Sequence, residues 1–317
     1  MFWARRLFQQ LAVDSFSKVE ENDLNYLRSD EGQTKLRSEA YNRLQEYVNQ
    51  RAQNRNLKPG KPVVLPSTFA GSPRHMAQEY MDAMAIKRKK GSLDYFITMT
   101  TNPKWNEIVS SLPRDANGTL LQQAIDRPDL VARVFKMKLD ELLKDLFERK
   151  VFGEVAGYAW TIEYQKRGLP HVHILLILKD DDDKPRTSEH VDRVVSCLIP
   201  DKDLDPQLHK LVAEHMIHGP CGDLNPDCPC MKHPKNPGKC SKGFPFPHCE
   251  QTIVDADGYP VYKRPLHGPV IDQLRRNQKT YRNITSEWVV PYNAYLLRKF
   301  QCHCNVPTSS LLPASRA

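Results

Sequence analysis

Two histidines separated by one residue, His171 and His173, end the run Arg167-Gly-Leu-Pro-His-Val-His173. On an extended strand successive side chains alternate between faces, so these two share one face and can reach a single metal ion from a rigid support. Glu163 lies on what reads as the preceding strand. A hairpin register placing it opposite His171 or His173 adds its carboxylate to that face. Two neutral imidazoles and a carboxylate, with coordination positions left open, suit a divalent ion acting as a Lewis acid on a phosphate. Lys166 and Arg167, in the turn between the strands, would place positive charge beside it. A bare His-x-His on a surface commonly binds nothing; the adjoining acidic strand and the basic turn distinguish this one.

A second group of metal-type donors follows. Five of the eight cysteines fall between Cys221 and Cys249, in a stretch dense in proline (Pro220, Pro226, Pro229, Pro234, Pro237, Pro245, Pro247). His218, Cys221, Cys230 and Cys240 are candidate zinc ligands, with Cys228 and Cys249 as alternatives. Structural zinc would explain how so proline-rich a segment folds, because it has few periodic apolar residues for a core of its own. The spacing is looser than paired Cys-x2-Cys knuckles, and free buried thiols are the alternative reading. Disulfides fit less well, since nothing indicates an oxidising compartment.

The net charge of +8 is also localised. Residues 261–317 hold nine Lys and Arg against Asp272 and Glu287, while the preceding residues are almost neutral. Arg275, Arg276, Lys279 and Arg282, interleaved with Tyr281, Trp288, Tyr292 and Tyr295, suit single-stranded DNA. Cations neutralise phosphates and aromatic faces stack on exposed bases.

The elements that must position these groups can be read from periodicity. Residues 1–90 read as a helical, polar region, with helices over Ser38–Asn54 and Arg74–Lys89. Residues 91–200 read as an α+β core. Asp94–Thr101 is a strand, Arg127–Lys150 a helix with Asp126 as N-cap and Pro128 in its first turn, Tyr158–Tyr164 a half-buried strand and His171–Leu178 a strand with at least one buried face. Asp180–Asp183 reads as a solvated loop. The expected fold is thus an antiparallel sheet with flanking helices. Residues 201–260 form the Cys/Pro-rich segment and 261–317 the basic, DNA-contacting one. The longest strictly aliphatic run is Ile174–Leu178 and mean hydropathy is −0.59, which excludes a membrane-spanning helix. The expected location is intracellular, in the nucleus. The chain has no Gly-x4-Gly-Lys-Ser/Thr loop, so no nucleotide cofactor is expected.

The segment Glu163-Tyr-Gln-Lys-Arg-Gly-Leu-Pro-His-Val-His173 closely resembles the His-hydrophobic-His motif of Helitron rolling-circle transposases, in their "Helitron helicase-like" N-terminal region. Arg6-Leu-Phe-Gln-Gln10, Leu65-Pro-Ser-Thr-Phe69, Phe96-Ile-Thr-Met-Thr-Thr-Asn-Pro-Lys-Trp105, His215-Met-Ile-His-Gly-Pro-Cys-Gly222 and Trp288-Val-Val-Pro-Tyr-Asn293 are similar to the same family, in order, over roughly residues 4–305. The resemblance implies a single-stranded DNA nickase and strand transferase of the HUH endonuclease class, acting in rolling-circle replication of a transposable element. It implies Mg²⁺ or Mn²⁺ held by His171, His173 and a third group, for which Glu163 is the candidate. It also implies a tyrosine pair shortly after the segment here written Cys302-His303-Cys304-Asn305. No tyrosine follows Tyr295 in this sequence, and Tyr292 and Tyr295 are weak substitutes. The expectation is therefore a truncated Rep segment that binds DNA and metal without the nucleophile or the helicase domain. An inert or repurposed relic and a zinc-stabilised DNA-binding regulator are the alternatives.

Overall fold

The computed structural model describes residues 6–36, 46, 50, 63–165, 168–232, 238–255, 259–276 and 278–308. Most of the expected helix Ser38–Asn54 lies outside them, as do Lys166 and Arg167. The fold is α+β with antiparallel sheets, as expected. The chain divides into two compact units, residues 1–85 and 86–317.

The first unit contains α1 (Arg6–Arg28), α2 (Asp30–Leu36) and most of α3 (Pro73–Lys90). Its α2 is anchored by the buried Gln33 side chain, which donates to the Val64 carbonyl (3.0 Å) and accepts from the Val64 N–H (2.9 Å). Among the described residues, no helix is long and apolar enough to cross a membrane.

The second unit begins with β1 (Tyr95–Thr100), the short α4 (Asn106–Val109) and α5 (Pro128–Phe147). Proline at the first position of α5 costs nothing, because that N–H has no intrahelical acceptor. The N-cap position belongs to Arg127 and not to Asp126. Asp126 instead closes a one-turn 3-10 helix by accepting from the Gln123 N–H (2.9 Å), which delays the α-helix by a residue.

Next come β2 (Val155–Tyr164), β3 (Pro170–Leu178), α6 (Ser188–Val194) and α7 (Pro206–His215). After these follow β4 (Ile253–Val254), β5 (Pro260–Val261), β6 (Ile271–Arg276), β7 (Lys279–Ile284), α8 (Ala294–Phe300) and β8 (Cys304–Asn305). Asp181–Asp183 forms a 3-10 turn in the expected solvated loop.

The principal sheet has the order β2-β3-β1-β8 and each described pairing is antiparallel. One face carries Ile97, Met99, Val172, Ile174 and Leu176, all fully buried, against Leu139, Leu142 and Leu146 of α5. The alternate residues form the opposite face, and these include the histidine pair. Strand β2 is an edge, and its Tyr158, Trp160 and Tyr164 are largely exposed, so it is less buried than its alternation suggests.

A second apolar core gathers Leu208, Leu211 and Val212 of α7, Ile271, Leu274, Tyr281 and Ile284 of the β6–β7 hairpin, and Trp288, Val289 and Tyr292. Cys221 and Met231 join it, so the Cys/Pro-rich segment leans on a core supplied mainly by the residues around it. Three of the four aromatics read as base-stacking candidates, Tyr281, Trp288 and Tyr292, are therefore packing residues.

Candidate metal and nucleic-acid site

The hairpin register puts Glu163 directly across from His171 and Thr161 across from His173. Glu163 Oε2 nevertheless lies 3.5 Å from His173 Nε2, along the diagonal. The two imidazole rings sit 4.5 Å apart, edge to face. On the other side of β3, Thr100 pairs with His171 and Thr98 with His173. Their hydroxyls hydrogen-bond His171 Nδ1 at 2.6 Å and His173 Nδ1 at 3.0 Å. With each Nδ1–H donating to its threonine, each Nε2 keeps a lone pair for a ligand, the arrangement that orients metal-binding histidines. Phe96 stacks on the His173 ring at 5.2 Å. Sequence reasoning missed both threonines, although the alternation Phe96-Ile-Thr-Met-Thr100 already puts them on one face.

Burial, reinforced by His173 and His303, lowers the pKa of His171 to about 4, so its imidazole is neutral near pH 7. His303 is itself depressed by burial, with Nδ1 at 2.8 Å from the His215 carbonyl.

Facing the pair is a cavity of about 840 Å³. His171, His173 and Phe96 line part of its boundary, and His218, Phe244, Phe246, Tyr259, Tyr262 and His303 are among its other lining residues. Tyr292 and Tyr295 do not line it. Tyr292 is buried, its hydroxyl donates to the Leu198 carbonyl (3.0 Å), and burial raises its pKa to about 12. The Tyr295 hydroxyl donates to the buried Asp145 (3.0 Å). Neither hydroxyl is placed to attack a phosphate held at the histidines. The tyrosines that do line the cavity, Tyr259 and Tyr262, were not singled out by sequence; Tyr262 accepts from the Thr308 N–H (2.9 Å).

The His218, Cys221, Cys230 and Cys240 donor atoms all lie within 4.8 Å of one another. Among the described residues they are the one group of three or more His, Cys, Asp and Glu so assembled, so His171, His173 and Glu163 are not drawn together as tightly. Tetrahedral zinc would place such donors about 3.5–3.8 Å apart, and Cys240 Sγ is already 3.3 Å from His218 Nε2. This His/Cys cluster can hold a metal ion. Cys228 adjoins Cys230 outside the four, and the Cys249 thiol donates to the Gln251 carbonyl (2.8 Å). Gly219, between His218 and Cys221, has φ +70°, and a Cβ there would lie 2.7 Å from the Cys221 nitrogen. The turn bringing those two ligands together therefore requires glycine. Burial lowers the His218 pKa to about 4. It also raises Cys221 to about 11, although the Cys230 thiol opposes this. The Cys240 thiol is lowered: burial acts against ionisation, but N–H donors at Lys242 and Phe244 and the thiols of Cys221 and Cys230 outweigh it.

The basic residues separate. Arg275 and Arg282 are exposed on the β6–β7 hairpin. Lys279 reaches Asn225 (3.0 Å). Arg276 is committed to structure, donating to the Ile217 carbonyl (2.6 Å) and to the carbonyls of Ala213 and Glu214 at the end of α7. Arg275 and Arg276 border a groove of about 890 Å³ that also contains Lys104 and Lys210.

Four histidines, 171, 215, 218 and 303, are held below the ordinary value of 6.5 by burial. Between pH 6.5 and about 4 the unfolded chain therefore binds more protons at these positions than the folded one, and stability rises with pH across that window. Thermal melts of the metal-free protein should show Tm falling as pH drops from about 7 toward 4.5; a Tm flat over that range would contradict neutral burial.

An α+β unit that presents paired imidazoles over a cavity, with a separate His/Cys cluster able to hold a metal ion, is what this geometry defines. Residues 1–176 match the family model described as the Helitron helicase-like domain at the N-terminus. The match covers more than half of the chain, which belongs to that family. No curated protein matches it.

Proposed function

We propose that this chain is the DNA-binding Rep region of a Helitron-type transposase. In this reading it takes single-stranded DNA, in the nucleus, over a divalent cation held by His171, His173 and Glu163. The observation that carries the reading is the pair of imidazoles at the cavity boundary whose Nδ1 atoms are engaged by threonine hydroxyls, which leaves Nε2 as the ring nitrogen for a ligand, beside Glu163. The donor set, two imidazoles and a carboxylate on one sheet face, suits a divalent ion that accepts both nitrogen and oxygen ligands, Mn²⁺ more readily than Mg²⁺. Mg²⁺ or Mn²⁺ bound there would polarise a phosphate oxygen. Thr98 and Thr100 fix the ring orientations, and Arg275, Lys104 and Lys210 offer phosphate contacts along their own groove. Zinc in the His218/Cys221/Cys230/Cys240 cluster stabilises the segment opposite. Tyr292 and Tyr295 are occupied elsewhere, so DNA is bound without covalent capture by either.

A labelled single-stranded oligonucleotide titrated with and without Mn²⁺ tests this. Mn²⁺ should tighten binding, and the double variant His171→Ala/His173→Ala should lose that enhancement by roughly 10-fold or more. No SDS-stable adduct is expected. Equal binding by variant and wild type would sink the metal assignment. An adduct would overturn binding without capture and direct attention to Tyr259.

A further inference from the structure

We infer that Phe244 and Phe246 form a nucleobase pocket, which receives an unpaired base of the strand whose phosphate lies at His171 and His173. The inference rests on the single-stranded DNA reading above and assigns part of its recognition to residues outside the sheet. Phe244 and Phe246 line the same cavity as the histidine pair, with Phe96 providing a third flat ring against His173. The two rings meet edge to face at 4.7 Å, and Phe246 remains 36 % exposed although large and apolar. A cluster of rings left open beside a phosphate-type site is the usual platform for bases, because every base has a π-face.

The pocket suits a base better than a phosphate. Lys242 and Arg264 are the only Lys and Arg among the described residues lining it. Arg264 is buried, and its guanidinium is committed to the carbonyls of Ser286 and Val289. It lies 4.9 Å from the Phe246 ring centre and so backs one face of that ring. Lys242, exposed, is left for the backbone. The volume of about 840 Å³ lies within the range of roughly 300–1,000 Å³ typical of ligand pockets.

The pocket is also tied to the cysteine cluster. Phe244 stacks on His218 at 4.2 Å with ring planes 16° apart, and the Cys221 thiol approaches the Phe244 carbonyl at 4.0 Å. A metal that fixes His218 thereby fixes the ring on which Phe244 rests.

The test uses the full chain with oligonucleotides carrying a single 2-aminopurine at successive positions. Wild type should quench the fluorophore at one position. Phe246→Leu, which keeps apolar bulk but not the ring, should lose that quench and bind roughly 5- to 100-fold more weakly. Phe246→Tyr should retain both. An abasic residue at the quenched position should weaken wild type to the level of Phe246→Leu and weaken that variant no further. Thermal melts establish that both variants fold. If wild type binds DNA and Phe246→Leu binds equally well, the base pocket is wrong and the DNA-binding reading stands. If wild type binds no oligonucleotide, both fall together.

Discussion

Replacing Cys221 with serine should release bound metal from the full chain and lower Tm by roughly 6–12 °C, the consequence of losing about 3 kcal/mol in a unit of this size. The physical reason is the poverty of other ties. Outside its cysteines, the segment around Cys221 is held to its surroundings by short contacts only: the bridges Ile217 to Val289 and Cys249 to Arg264, the Phe246 N–H on the Glu287 carbonyl, and single side-chain bonds from Arg276 and Lys279. Its apolar contribution to the second core is small. Serine offers an oxygen where a soft thiolate is needed, and it is buried where Cys221 is 1 % exposed. The free-thiol alternative predicts a different pattern. On that reading Cys221→Ala is mild and a chelator does nothing to wild type. On the metal reading alanine and serine are equally harmful, and chelation brings wild type down to both. Metal released on denaturation, measured with a chromophoric chelator beside the melts, separates the two.

Arg264→Met should be comparably destabilising. Arg264 is 2 % exposed, and burial lowers its pKa. Its guanidinium donates to the Ser286 and Val289 carbonyls, the latter at 2.8 Å. Its backbone exchanges hydrogen bonds with Cys249 in both directions, at 2.7 and 3.0 Å. Methionine would fill much of the volume and remove the cost of burying a charge, but it would take the Arg264 donor from the buried Val289 carbonyl and leave the Ser286 carbonyl only the Val289 N–H. An orphaned buried carbonyl costs about 1–3 kcal/mol and the weakened Ser286 acceptor adds to it, so a net destabilisation of about 2–3 kcal/mol is expected. Arg264→Lys should fall between: one ammonium can meet both carbonyls that Nη1 now meets, but it is shorter in reach and more strongly hydrated than a guanidinium. Urea unfolding of the three proteins is the measurement. A methionine variant as stable as wild type would show that the Arg264 hydrogen bonds carry no net stability.

Much of the histidine site was legible because a two-residue period is enough to place His171, His173 and Glu163 on one face, and their hairpin is local. Thr98 and Thr100 were not, because their pairing with β3 depends on a register set across 75 and 71 residues. The four metal-type donors were found by residue type despite their uneven spacing, and only the folded turn at Gly219 shows why the spacing works. The second core escaped because its apolar residues are scattered from Ile199 to Leu297 over short elements with no sustained period. For the same reason Tyr281, Trp288 and Tyr292 read as DNA-stacking groups. The rings at the cavity, Phe244 and Phe246, lie between prolines in a stretch that offers no periodicity.

The outer partner of β1 comes from the far end of the described chain. Met99 and Thr98 pair with Cys304 and Asn305, the Thr100 N–H donates to the His303 carbonyl (3.0 Å), and the Phe96 N–H donates to the Pro307 carbonyl (3.0 Å). During synthesis, therefore, that side of β1 stays unpaired until residues 303–308 have left the ribosome, and the loop they close spans nearly the whole second unit. The match to the family model ends at residue 176, inside β3, which runs to Leu178. A polypeptide cut there would expose a hydrogen-bonding edge on β1, the kind of edge that pairs with other chains. The segment that matches the family model and the segment that completes the sheet are thus different lengths of the same polypeptide.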